Sequence, residues 1–296
     1  MSGATRACPL CGGDTHLFLR NGPLVVVRCR ACLLAFLADG GTADQAAAYD
    51  DVYCEGGVRN DLNAARYADI LDAFEPFRRN GSLLEIGFGA GDLLRMGAAR
   101  GWRVMGTEVS SVAVARLKRD GLDVRVGEHA AADVPAGSFD GALLIEVIEH
   151  VEDPRATLLD AARALRVGGR LVLSTPNIDS ATRHLIGIQW RIVVGEHRWY
   201  FCPRSLRRIL HDTGFVGVSV RTRNIYPPEI LRSLRRGATS PVTGSTTWAP
   251  TSDLRRFTST NAIGRVAKAG VNAVLSATGL GDTIWASAVR SAPGER

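Results

Sequence analysis

The run Leu83-Leu84-Glu85-Ile86-Gly87-Phe88-Gly89-Ala90-Gly91 constrains this chain most, because an apolar stretch here ends in glycines at alternate positions. The apolar residues predict a buried strand. The glycines predict a sharp turn whose backbone lies against a ligand with no side chain between them, opening onto a helix whose free N–H groups face the same ligand. A second predicted strand, Trp102 to Val109, contains Glu108, about 20 residues on, where open α/β folds place an acid that accepts both hydroxyls of a ribose. A dinucleotide fingerprint would put its third glycine where Asp92 stands, so the spacing leans away from a nicotinamide cofactor.

Other motifs follow in order. Gly137-Ser138-Phe139-Asp140 opens a strand, Glu146-Val147-Ile148-Glu149-His150-Val151 follows it, and Leu165-Arg166-Val167-Gly168-Gly169-Arg170-Leu171 leads into the next. With the glycine loop, these make the chain resemble the class I S-adenosylmethionine-dependent methyltransferases from about Asp61 to Arg290. Ser174-Thr175-Pro176-Asn177 and His197-Arg198-Trp199-Tyr200-Phe201 make it most similar to the ubiquinone-pathway O-methyltransferases and the small-RNA 3′-end methyltransferases. The resemblance implies a Rossmann-like, doubly wound, seven-stranded and mostly parallel sheet. It also implies S-adenosylmethionine as cofactor, with Glu85, Gly87, Gly89 and Gly91 at its methionine portion, Glu108 at its ribose and Glu128 at its adenine edge.

Before these motifs stand Cys8-Pro9-Leu10-Cys11 and Cys29-Arg30-Ala31-Cys32, two Cys-x-x-Cys knuckles at a zinc-ribbon interval. Four thiolates suit tetrahedral zinc, and a segment ending near Leu37 is too short to stand on a core of its own, so metal would supply its folding energy. A four-sulfur site leaves no open coordination position, which makes this zinc structural. The chain therefore divides into a ribbon (1–38), a linker (39–60) and a methyltransferase domain (61–296). Within the domain, 226–262 reads as a mobile insertion because it is rich in Pro, Gly, Ser and Thr. Tyr49 and Tyr53 of the linker either reach over the cofactor, as aromatic residues do in related enzymes, or simply pack the linker down.

Periodicity predicts a helix from Leu62 to Arg79 and then strand-helix alternation, the pattern of a parallel sheet. The strands are 82–87, 103–109, 123–127, 139–145, 170–174, 215–221 and 283–289, the last antiparallel by resemblance. Asp153-Pro154 should cap and start a helix that Gly168-Gly169 ends.

At 296 residues and 46% apolar content the chain can bury one large α/β core. It contains no apolar segment of membrane-spanning length and no signal peptide is evident, so a cytoplasmic protein that does not insert in membranes is expected. The net charge of +6 comes almost wholly from arginine, since Lys118 and Lys268 are the only lysines. That balance reads first as compositional bias; the counter-reading is the crowding of Arg204, Arg207, Arg208, Arg221, Arg223, Arg232, Arg235 and Arg236 after the cofactor motifs, as a set for phosphate or carboxylate on a substrate.

Methyl transfer is an in-line displacement, and a hydroxyl acceptor must also lose a proton. Glu146, Glu149 and His150 are spaced to share one face of a helical turn, and His197 arrives later. By resemblance this Glu-x-x-Glu-His set with its later histidine holds magnesium or manganese, which would bind vicinal substrate oxygens and lower the hydroxyl pKa. Two other readings stand beside it: His150 as a metal-free base with Glu149 beside it, or Glu149-His150 as a structural pair. The expected substrate is a small hydroxylated metabolite. No Asn-Pro-Pro-Tyr motif follows the fourth strand, which argues against the amino-methylating enzymes that use that motif on adenine or glutamine. RNA methylation with the ribbon as RNA reader, carbon methylation of a sugar and a non-catalytic cofactor-binding scaffold are the alternatives. Against nucleic acid, the ribbon lacks interleaved basic and aromatic residues.

Overall fold

The computed structural model describes residues 6–41, 49–50, 64–127, 134–190, 192–225, 230–231, 262–292 and 294. The expected adenine residue Glu128, Tyr53, and most of the expected linker and 226–262 insertion lie outside them. The chain divides into two compact units. One comprises Met1–Gly41, Pro176–Leu206 and Val220–Trp285; the other comprises Thr42–Thr175, Arg207–Ser219 and Ala286–Arg296.

The second unit is built on the glycine-loop strand. β4 (Ser82–Ile86) pairs in parallel with β5 (Arg103–Glu108) on one side and β7 (Phe139–Ile145) on the other. β5 pairs in parallel with β6 (Asp123–Val126), and β7 with β8 (Leu165–Pro176). With β10 (Phe215–Arg223) and β11 (Thr283–Arg290) the sheet has seven strands in the order β10-β11-β8-β7-β4-β5-β6. The chain runs outward from β4 to β6 and then returns to β7. The strand order therefore reverses between β4 and β7, and such a sheet opens a ligand crevice at the carboxyl ends of those strands.

The helices follow from local sequence. α1 (Ala64–Asp72) carries Ile70 and Leu71 on its buried side, and the chain then tightens into a 3-10 turn at Glu75–Phe77, around Pro76, instead of continuing to Arg79. α2 (Asp92–Ala99) and α3 (Ser111–Arg119) pack Leu94, Ala113, Val114 and Leu117 against Phe88 and Val124. Ser110 caps α3 by accepting from the Ala113 N–H, and Asp153 caps α4 (Pro154–Ala164) by accepting from the Arg155 and Ala156 N–H groups. The expected role of Gly168-Gly169 is corrected. α4 ends at Ala164 and β8 begins at Leu165, with the glycines inside the strand at an irregularity. Phe139 pairs with Leu165 but Gly141 with Arg170, and the extra residues turn Arg166 inward so that its Nε donates to the fully buried Asp140 at 2.7 Å.

The other unit holds a four-stranded sheet. β1 (Thr15–Asn21), β2 (Leu24–Cys29) and β3 (Ala35–Leu37) form an antiparallel meander, and β9 (Trp199–Tyr200) adds to β3 through the pairs Ala35 with Tyr200 and Phe36 with Trp199. A single apolar cluster joins Val26, Ala35 and Leu37 to Ile178, Ile186, Trp190, Val193, Tyr200 and Cys202. An N-terminal segment too short for a core shares one with residues from beyond β8. Arg28 ties the same pieces together, donating from both terminal nitrogens to Asp179 at 2.8 and 2.6 Å.

Within this unit lie α5 (Ala181–Ile186) and α7 (Ala262–Thr278), and α6 (Pro203–Asp212) begins in it.

Candidate functional site

The two cysteine knuckles are the same turn made twice. In the first, Cys8 N–H donates to Gly13 O and Gly12 N–H to Cys8 O; in the second, Cys29 N–H donates to Leu34 O and Leu33 N–H to Cys29 O. The fifth position of the turn is left-handed in both, Gly12 at φ 70° and Leu33 at φ 66°. Arg28 Nε donates to the Leu33 carbonyl at 3.2 Å, which steadies the strained copy. The four sulfurs converge: Cys8 to Cys32 and Cys11 to Cys29 are each 3.5 Å, and all four lie within 4.8 Å of one another. These are free thiols, too far apart for disulfides. Zinc with Zn–S near 2.3 Å requires tetrahedral sulfur separations of about 3.8 Å, so the donor set fits that ion. The hydrogen bond shared with Cys32 holds the Cys8 thiol down to about 5, while the same pairing and burial push Cys32 up.

In the other unit, β4 delivers Glu85 to the foot of the glycine loop. Gly87, Gly89 and Gly91 have φ values of 70°, 55° and 75°, a region that L side chains rarely adopt. At Gly87 a Cβ would also sit 2.5 Å from a methyl of Val147. Glu108 reaches back from the end of β5. Its Oε2 accepts from Gly89 N–H at 2.9 Å, and its Oε1 from Val109 and Ser110 N–H at 2.8 and 3.2 Å. Glu85 is 5% exposed and its Oε2 is buried with no hydrogen-bond partner. Burial and then the nearby Glu108 and Asp92 hold the Glu85 carboxyl well above the usual range, against the pull of the Leu94 amide. Burial likewise raises Glu108, against the three backbone N–H groups. Two adjacent buried carboxylates with an orphaned oxygen make a cradle suited to a positively charged ligand.

Glu146, Glu149 and His150 lie on a bend and tight turn beyond β7, not on a helix. Glu146 is exposed and left-handed at φ 57°; Ser174 Oγ donates to its Oε1 at 2.6 Å. Glu149 is 1% exposed, and its Oε2 has no hydrogen-bond partner. Burial, followed by the Glu146 charge, holds its carboxyl well above the usual range. The buried Thr175 hydroxyl closes no hydrogen bond either. His150 meets Tyr49, whose Oη is 3.3 Å from Nδ1. His197 belongs to the other unit, where its Nδ1 lies 2.9 Å from Ile192 O and its ring meets Tyr200 edge-on. Asp50 is a contributor that sequence does not single out. It accepts from Ser110 Oγ, Ser111 Oγ and Val112 N–H at the start of α3, and nothing in the primary structure separates it from Asp51.

An open sheet with strand order reversing at β4, a left-handed glycine loop and a buried acid at the end of the next strand define an open α/β protein with a crevice at that reversal. The family model described as a methyltransferase domain matches residues 59–220, and the chain belongs to that family. Over 164 residues it is 33% identical to a ubiquinone biosynthesis O-methyltransferase of Cereibacter sphaeroides, covering 51% of this chain and 66% of that protein. Over 190 residues it is 32% identical to an uncharacterized 37.1 kDa protein in transposon TN4556 of Streptomyces fradiae, covering 59% and 55%. The chain thus spans between half and two thirds of the length of these relatives. A SAM-dependent methyltransferase from Archaeoglobus fulgidus shares the fold, with a TM-score of 0.53 at 17% identity, covering 83% of this chain and 100% of that one.

Proposed function

We propose that this chain transfers a methyl group from S-adenosylmethionine to a hydroxyl oxygen of a small hydroxylated metabolite. The observation that carries this reading is the orphaned Glu85 oxygen beside Glu108 under the left-handed loop. Bound there, the cofactor would supply an electrophilic methyl on a sulfonium. Glu85 would take its ammonium group, and Glu108 its ribose hydroxyls through the lone pairs that the backbone N–H groups leave free. Glu128 at the adenine edge remains the expectation from the resemblance.

His150 would take the proton that the acceptor hydroxyl gives up, while the bound cofactor would supply the methyl group and keep the electron pair of its carbon–sulfur bond. Oxygen as acceptor is supported by the identity to the O-methyltransferase relatives. A second reading, a magnesium or manganese ion held by Glu146, Glu149 and His150, is favoured by the partnerless Oε2 of Glu149. The four cysteines hold structural zinc as thiolates, and their lack of disulfide bonds fits a reducing cytoplasm. Among the described residues no helix is long and apolar enough to cross a membrane.

Turnover with methyl-labelled cofactor across a panel of hydroxylated metabolites, sugars and RNA tests the reading. Label on an ether oxygen, lost in His150→Gln, supports it; label only on carbon or RNA, or none, overturns it. Activity that falls on chelation and returns with magnesium or manganese selects the metal reading.

A further inference from the structure

Tyr49 and Asp50 are consecutive, and their side chains are anchored at two different parts of the same unit. The Tyr49 hydroxyl lies 3.3 Å from His150 Nδ1, and the two rings meet edge to face, with centroids 6.0 Å apart and planes at 80°. One residue later, Asp50 Oδ1 accepts from Ser110 Oγ at 2.5 Å and from Val112 N–H at 3.3 Å, while its Oδ2 accepts from Ser111 Oγ at 3.2 Å. The Ser110 N–H in turn donates to Glu108 Oε1 at 3.2 Å. A dipeptide thus links the imidazole beyond β7 to the carboxylate at the end of β5.

A neutral imidazole donates from one nitrogen and accepts at the other, so the partner of Nδ1 decides what Nε2 can do. We infer that Tyr49 is a positioning residue for His150: its oxygen accepts the Nδ1 hydrogen and so keeps the lone pair on Nε2. Either use of Nε2, as proton acceptor or as ligand to a cation, requires that tautomer. The edge-on ring contact fixes the plane of the imidazole, and Asp50 fixes the backbone that carries Tyr49. The inference rests on the methyltransferase reading only for its kinetic arm.

Tyr49→Phe keeps the ring and removes the oxygen. The expected result is a fall in kcat of roughly tenfold to hundredfold, the range for loss of a partner that orients a functional histidine. Acceptor KM and the Kd for S-adenosylhomocysteine stay unchanged. In protein labelled with ¹⁵N at histidine, the His150 signals, identified by their loss in His150→Gln, report a protonated Nδ1 and a lone pair on Nε2. In Tyr49→Phe they move toward the mixed-tautomer position. Tyr49→Trp, which restores a hydrogen-bonding group of the wrong polarity, does not recover the wild-type signals. Unchanged kcat together with unchanged His150 signals in Tyr49→Phe overturns the inference, as does a wild-type His150 already protonated on Nε2. The nitrogen signals need no turnover. A wild type that binds no S-adenosylhomocysteine but shows the Tyr49-dependent tautomer therefore defeats the methyltransferase reading alone.

Discussion

Glu146 and Ser174 hold each other twice across the ends of adjacent strands. Ser174 Oγ donates to Glu146 Oε1 at 2.6 Å, and Glu146 N–H donates to Ser174 O at 3.0 Å. The double contact keeps a carboxylate-bearing residue at φ 57°, where only glycine is unstrained. Glu146→Gly and Glu146→Ala both remove the carboxylate and differ chiefly in that strain. Thermal denaturation should find the glycine variant more stable than the alanine variant by about 1 kcal/mol, with both impaired in methyl transfer. Equal stability would mean that the backbone here is not strained.

Glu85 should trade stability for binding. Its carboxyl is raised in the folded state by burial and by Glu108, so above the unfolded value of 4.5 the group destabilises the ligand-free fold. Glu85→Gln should raise the melting temperature of ligand-free protein at neutral pH and weaken binding of S-adenosylmethionine. In the wild type that affinity should increase with pH as the carboxyl ionises. Melting curves with and without ligand at several pH values read both effects.

Removing the proposed zinc should be felt beyond the cysteines. Trp190, 1% exposed, lies in the same apolar cluster as Val26, Ala35 and Leu37 of the N-terminal strands. Cys8→Ser with Cys11→Ser, or strong chelation, should shift Trp190 fluorescence to the red relative to a Trp190→Phe control. An unmoved spectrum after metal loss would show that this core stands without the metal.

Asp140 supplies an acid-sensitive contribution. Burial works to raise its pKa, but the Arg166 hydrogen bond and the Arg79 and Gly81 N–H groups overcome this and hold it below the usual 3.8. Its stabilisation is therefore complete above that value and is lost as pH falls through the lower folded pKa. Asp140→Asn should cost about 3 kcal/mol at pH 7, because it leaves Arg166 half-buried without its counter-charge. Urea titrations at pH 7 and pH 3 should show that difference shrinking in acid.

Most of the α/β core was legible because its signals are local. Apolar runs punctuated by glycine placed β4, β5 and β7, and the Asp153-Pro154 cap placed the start of α4. The misread stretch at Gly168-Gly169 has a nonlocal cause, since its irregularity serves the ion pair from Arg166 to Asp140 on another strand. The pairing of β9 with β3 was hidden for the same reason: Trp199 and Tyr200 form a strand only because Ala35 and Phe36 offer an open edge. Residue types likewise singled out Glu85, Glu108, Glu149 and His150 as candidates. The partnerless oxygens on Glu85 and Glu149, and the tie from Tyr49 to His150, exist only once distant segments meet.

The most direct test of the central claim is calorimetric titration of the folded, zinc-loaded chain with S-adenosylhomocysteine, alongside Gly87→Ala. Saturable one-to-one binding by the wild type is predicted, with none by the variant, whose new methyl would meet Val147 and whose φ would be strained. No heat of binding from well-folded wild-type protein, or equal binding by both, would contradict the placement of the cofactor on this loop.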